Sequence, residues 1–72
     1  MEIELRKKLA VRIRKLREKY KYTQWELSDL SGVDYKHIQL LEGKKHCDVK
    51  LGTLAKLAKA FKINLSKLLD FK

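Results

Sequence analysis

The sequence has no proline, a single cysteine and only three glycines among its 72 residues. Without proline, its helices must end by glycine, by caps or by left-handed backbone turns. The lone Cys47 cannot close an internal disulfide and reads as a free thiol in a polar loop. His46 adjoins it, but no second pair stands at ligand spacing, so no metal and no cofactor are expected. There is no apolar run of about twenty residues for a membrane span, and no charged-then-apolar leader. A nucleophile beside a base, a carboxylate pair and a phosphate-cradling glycine loop are also missing. Ser28 and Ser31 fall inside a predicted helix, and so small a domain has little space for a substrate pocket. The expectation is a cytoplasmic, non-enzymatic protein with no small-molecule effector evident.

What the chain has in excess is positive charge. Its 18 Lys+Arg against 9 Asp+Glu give a net charge of +9 at pH 7, with half of the cations (Arg6, Lys7, Lys8, Arg12, Arg14, Lys15, Arg17, Lys19, Lys21) in the first 21 positions. A surface of that sign attracts polyanions, either nucleic acid or an anionic membrane. The apolar residues of the first helix are the ordinary aliphatics of a core face, so nucleic acid is favoured and no membrane partner is expected. A chain of this length forms one domain, residues 1–72, of a size that buries only about 60% of its unfolded surface.

Hydropathy periodicity points to helices alone. Leu5, Leu9, Ile13, Leu16 and Tyr20 recur at steps of four and three, which predicts an amphipathic helix over about 3–20 with the basic residues on its opposite face. Leu51, Leu54, Ala55, Leu57, Ala58 and Phe61 form a second long stripe, and Asn64 is placed to cap a short last helix holding Leu65, Leu68 and Leu69. No strand-like alternation, repeat or low-complexity segment interrupts them.

Between these segments, residues 23–42 write two short helices around one glycine. Thr23 and Glu26 have the spacing of a capping box, and Tyr22 and Leu27 that of a hydrophobic staple. Gly32 supplies the left-handed residue that ends the first of the two, and Asp34 is placed to cap the second. Helices this short, joined by so tight a turn, must cross steeply and leave one face of the second, with Tyr35, Lys36, Gln39 and Leu40, pointing outward.

That pattern, with Ile13-Arg14-Lys15-Leu16-Arg17-Glu18, Tyr22-Thr23-Gln24, Glu26-Leu27, Gly32-Val33, Ile38, Leu41-Glu42 and Thr53-Leu54-Ala55-Lys56-Leu57-Ala58-Lys59-Ala60-Phe61, resembles the Xre/Cro type of small lambda-repressor-like domain over about residues 9–69. The resemblance implies an all-α fold of five helices in which the second and third make a helix-turn-helix. Two departures stand out. Lys21 occupies a position where the family usually has a helix-closing glycine, which implies a left-handed residue bearing a Cβ. In the loop over 43–50, Gly43 follows Glu42 directly rather than one residue later, and one extra residue precedes Leu51.

The resemblance also implies a set of DNA contacts. Positions matching Tyr35, Lys36 and Leu40 look base-facing, with His37 and Gln39 within reach of base or phosphate. The chemistry suits them: Lys36 donates to guanine O6 or N7, Gln39 pairs with adenine, and Leu40 and the Tyr35 ring offer apolar contact to a thymine methyl. The plainer reading of Lys36 and Gln39 is that of solvated helix-face residues. Gln24 and Thr23 stand at a helix start that favours a phosphate oxygen, the plainer reading being an ordinary helix start. From their positions alone, Lys44, Lys45 and Lys50 suit either the phosphate backbone or a merely solvated charged face. Arg17 and Glu42 match positions that look like a partly buried ion pair, a structural role. Trp25 is equally suited to covering the core or lying beside the DNA backbone.

Together these features predict a sequence-specific double-stranded DNA-binding transcriptional regulator, and the family resemblance implies one of repressor type. A single short helix reads few base pairs, so the expectation is a homodimer on an inverted repeat, with Val49, Leu65, Leu68 and Phe71 suited equally to its interface or to the core. The alternative is a small helical module whose basic surface meets a protein or RNA.

Overall fold

The computed structural model describes residues 3–43 and 49–70, so Cys47, Lys44, Lys45, His46 and Phe71 lie outside the described residues. It is all-helical, with α1 (Ile3–Lys19), α2 (Gln24–Ser31), α3 (Tyr35–Glu42), α4 (Leu51–Ala60) and the single turn α5 (Leu65–Leu68). The order and number of helices follow the hydropathy reading, and no strand occurs among the described residues. The helices meet around one core of Leu9, Ile13, Leu16, Leu27, Val33, Ile38, Leu41, Leu54, Leu57, Ala58, Phe61 and Leu68. Each buried leucine, isoleucine, valine or phenylalanine side chain there contributes roughly 1.5–3 kcal/mol of transfer free energy. Packing runs α1 on α3, α2 on α3 and α4, and α4 on α5, so α3 is held from two sides.

The buried stripe of α1 departs from the periodicity at its two ends. Leu5 is exposed, and the side chain facing inward at that level is Arg6, which is 1% exposed. Tyr20, at the other end of the predicted stripe, is also partly exposed but stacks on Tyr22 and Phe61 at centroid distances of 5.6 and 5.8 Å. This aromatic group ties the end of α1 to the end of α4. Tyr22 also packs against the core, which fixes the entry of the chain into α2.

Helix ends are made largely by side chains and left-handed residues. Thr23 Oγ1 accepts from the Glu26 amide at 3.0 Å and Glu26 Oε1 accepts from the Thr23 amide at 2.8 Å, which completes the capping box. Asn64 caps α5 by accepting from the Lys67 amide at 2.7 Å. Asp34 takes the N-cap position of α3 but makes no side-chain cap bond, a correction to the expectation from sequence. Lys21 is left-handed at φ 58°, as its position implies, and Lys62 repeats the geometry at φ 58°. Both are Schellman motifs. The Tyr22 amide reaches back to the Arg17 carbonyl and the Lys21 amide to Glu18, while Ile63 reaches Ala58 and Lys62 reaches Lys59.

Of the residues suited equally to a dimer interface or to the core, the structure places three at the core. Leu68 is fully buried in the core, and Val49 and Leu65 pack against it. Among the described residues, the large apolar side chains left outside are Ile3, Leu5, Val11, Trp25, Leu30, Leu40, Leu51 and Leu69, with Tyr20.

The left-handed positions generate a pair of predictions of opposite sign. Lys21→Gly relieves a backbone cost of about 1–2 kcal/mol and returns part of it as chain entropy, so urea unfolding is expected to show a net gain of about 0.5–1 kcal/mol. Gly32 sits at φ 77° with open space around the place of a Cβ, so Gly32→Ala is opposed only by backbone conformation. Its expected loss is about 1 kcal/mol in the same assay.

Candidate nucleic-acid interface

The segment from α2 to α3 presents a helix with its back secured and its front exposed. α2 ends at Gly32, whose left-handed turn redirects the chain. Ser28 Oγ donates to the Val33 carbonyl at 2.7 Å and Ser31 Oγ accepts from the Val33 amide at 3.1 Å, so two side chains of α2 hold the turn on both sides of its middle residue. Val33 itself is buried. The serines therefore have a local structural role in the turn.

On α3, Ile38, Leu41 and Glu42 face inward. Lys36, Gln39 and Leu40 are exposed, and Tyr35 and His37 are half-buried. Steps of three and four from 36 to 39 and 40 put these three on a common face. Of the five residues that the sequence nominates for base contact, the structure brings Lys36, Gln39 and Leu40 together on the outer side of α3 and leaves Tyr35 and His37 half-buried at its flanks. Gln24, half-buried, and the exposed Thr23 stand at the start of α2, and the exposed Lys50 just precedes α4. The first-turn amides of α2 at Gln24 and Trp25 have no carbonyl a turn earlier to bond, as at any helix start. The capping box occupies the Thr23 amide with a carboxylate, which tempers the positive potential there.

Trp25 does not cover the core. It is 62% exposed, and its indole lies flat on the Tyr35 ring with centroids 3.8 Å apart and planes within 2°. The Tyr35 hydroxyl accepts a hydrogen bond from Gln39 Nε2 at 3.1 Å. The chain of contacts from Trp25 to Gln39 crosses from α2 to α3 and was not visible in the sequence, because a stack between residues ten apart depends on how the two helices cross.

The carbonyl end of α3 is held by arginines of α1. Arg6 Nη1 donates to the Leu41 carbonyl at 3.0 Å and Nη2 to Leu40 at 3.3 Å. Arg14 Nη2 donates to the Glu42 carbonyl at 3.2 Å. Arg17 makes the two-point pair expected of it, Nε to Glu42 Oε2 at 2.8 Å and Nη2 to Oε1 at 3.0 Å, and Nη1 reaches the Tyr22 carbonyl at 3.0 Å. The hydrogen bond to Glu42, above the opposing effect of burial, raises the Arg17 pKa still further above its ordinary value. The last carbonyls of a helix lack intrahelical donors and carry its negative dipole end, and here guanidinium groups meet both needs. Arg6 was missed from sequence because hydropathy patterning sorts arginine to the solvent side. Its place one position from Leu5, on a face shared with Arg14 and Arg17, was the available signal.

No group of three or more His, Cys, Asp or Glu able to hold a metal occurs among the described residues. No helix among them is long and apolar enough to cross a membrane. The helix-turn-helix domain family model matches residues 10–71, nearly the full chain. No curated protein matches the chain significantly.

The ion pair yields a graded prediction. Glu42 is buried and Arg17 nearly so, with side-chain exposures of 2% and 18%, whereas the Arg14 side chain is 57% exposed and only 3.7 Å from the same carboxylate. Glu42→Ala strands a shielded guanidinium and is expected to cost about 3 kcal/mol in chemical denaturation. Arg14→Ala, losing an exposed partner, is expected to cost about 1 kcal/mol or less.

Proposed function

Because the chain belongs to the helix-turn-helix domain family, which supports DNA as its partner and regulation of transcription as its role, we propose that it is a sequence-specific double-stranded DNA-binding repressor. The observation that carries this reading is the exposed face of α3 with Lys36, Gln39 and Leu40, on a helix anchored from behind. A helix so presented fits the major groove, where its first turns meet base edges.

In this reading Lys36 donates to guanine, Gln39 pairs with adenine, and Leu40 meets a thymine methyl. Tyr35 and His37 stand at the flanks of the same face and touch base or sugar-phosphate. Gln24 and Thr23 bring the start of α2 to a phosphate, and Lys50, just before α4, meets the phosphate backbone, a role also assigned from the sequence to Lys44 and Lys45. The affinity comes mainly from lysine–phosphate contacts and the selectivity from α3. One such helix reads too few base pairs for useful discrimination, so the protein acts as a homodimer on an inverted repeat with half-sites about 34 Å apart. We assign it to the Xre type of regulator, acting in the cytoplasm without a small-molecule effector, on the strength of the sequence resemblance.

Two substitutions separate the contact classes. Lys36→Ala is expected to cost about 1–3 kcal/mol on the preferred duplex and to relax the preference at one base pair. Lys50→Ala is expected to weaken all duplexes alike and to reduce the salt dependence by about one phosphate contact. Both are read by titration of duplexes selected from a randomised pool against scrambled ones. Equal affinity for every duplex and for RNA would refute sequence-specific reading in favour of a general polyanion-binding module.

A further inference from the structure

Trp25 and Tyr35 come from different helices, yet their rings lie parallel at 3.8 Å, and Tyr35 in turn accepts the Gln39 amide at 3.1 Å. We infer that Trp25 and Tyr35 are positioning residues that aim the Gln39 carboxamide at an adenine, which makes the indole–phenol stack a specificity determinant. This rests on the reading of α3 as the DNA-reading helix.

The chemistry of the amide supports the aim. A glutamine side chain offers two N–H donors and one carbonyl acceptor. One N–H is given to Tyr35. The remaining N–H and the carbonyl are the donor and acceptor that adenine matches with N7 and its N6 amino group. Guanine presents two acceptors on the same edge, so a carboxamide held in this orientation sets its carbonyl against O6. The tether leaves the reading capacity of Gln39 intact and removes the rotamer freedom that an exposed glutamine would otherwise lose on binding.

The phenol can act as a tether only if it is itself fixed. Tyr35 and Gln39 are one helical turn apart, so their side chains meet on one face of α3. Trp25 covers one face of the phenol ring and so limits its rotation. Its own position is set by the first turn of α2, which the capping box holds in place. The angle between α2 and α3 is thereby transmitted to the orientation of one reading group. Trp25 is 62% exposed, so its replacement leaves the core untouched.

The test uses the full chain and short duplexes selected by the wild-type protein from a randomised pool, titrated at constant salt with each base pair varied in turn. Gln39→Ala is expected to reduce the preference for A·T at one position by about tenfold, a magnitude ordinary for loss of a two-point base contact. Trp25→Ala and Tyr35→Phe are expected to erode the preference at that same position, while Trp25→Phe, which retains a stacking ring, keeps it. Trp25→Ala in the Gln39→Ala background is expected to add nothing there. In the free protein, NMR relaxation of the Gln39 side-chain amide is expected to show a restricted group that becomes mobile in Trp25→Ala. Equal weakening of selected and scrambled duplexes by Trp25→Ala, or a Gln39 amide unchanged in its mobility, would overturn this assignment alone. A pool that yields no preferred duplex would overturn sequence-specific reading and this assignment together.

Discussion

The structure depends on guanidinium groups from α1 meeting the carbonyl end of α3. A helix of eight residues has half of its carbonyls without intrahelical donors, and its dipole concentrates negative potential there. Arg6 and Arg14 donate to three of those carbonyls, and Arg17 grips the carboxylate of the last helical residue in a fork. Burial of Ile38 and Leu41 chooses the inward face of α3, but hydrophobic contacts are non-directional and leave its fine rotation and axial height loosely set. The arginine contacts do not, because each requires a particular carbonyl at a particular height. With the buried Ile38 and Leu41 they fix the rotation of α3, and with it which of its residues face outward.

The opposite end of α3 is organised differently. Asp34 makes no side-chain cap there, and the turn is stabilised instead from α2 through Ser28, Ser31 and the left-handed Gly32. The aromatic stack of Trp25 on Tyr35 closes this end from outside. α3 is thus fixed electrostatically at its rear and by turn geometry and stacking at its front, with the exposed Lys36, Gln39 and Leu40 between. This arrangement suits a helix that must keep its orientation when it enters a groove.

Much of this was legible in the sequence because it is local. The capping box, the Gly32 turn and the Asn64 cap depend on residues within four positions of one another, and Lys21 was marked by standing where a glycine is usual. The Arg17–Glu42 pair was readable only through family resemblance. Arg6 was not read, since its burial is dictated by carbonyls that α3 brings from some 35 positions away. Lys62 was missed because nothing about a lysine advertises a left-handed turn, although the bonds around it repeat those around Lys21. From sequence Leu65 and Leu68 suit core and interface alike, because an apolar stripe on a single-turn helix does not say which surface it meets, and the core takes Leu68.

The two kinds of cation are sorted in this molecule. All four arginines, Arg6, Arg12, Arg14 and Arg17, donate to groups of the protein itself, Arg12 doing so to the Lys67 and Leu68 carbonyls at the end of α5. Every described lysine is exposed. Amine-directed chemistry such as acetylation removes charge from lysine and does not touch guanidinium. Such a modification would strip the outer electrostatic coat while leaving every internal staple in place, so the attraction of this protein for polyanions is adjustable independently of its shape.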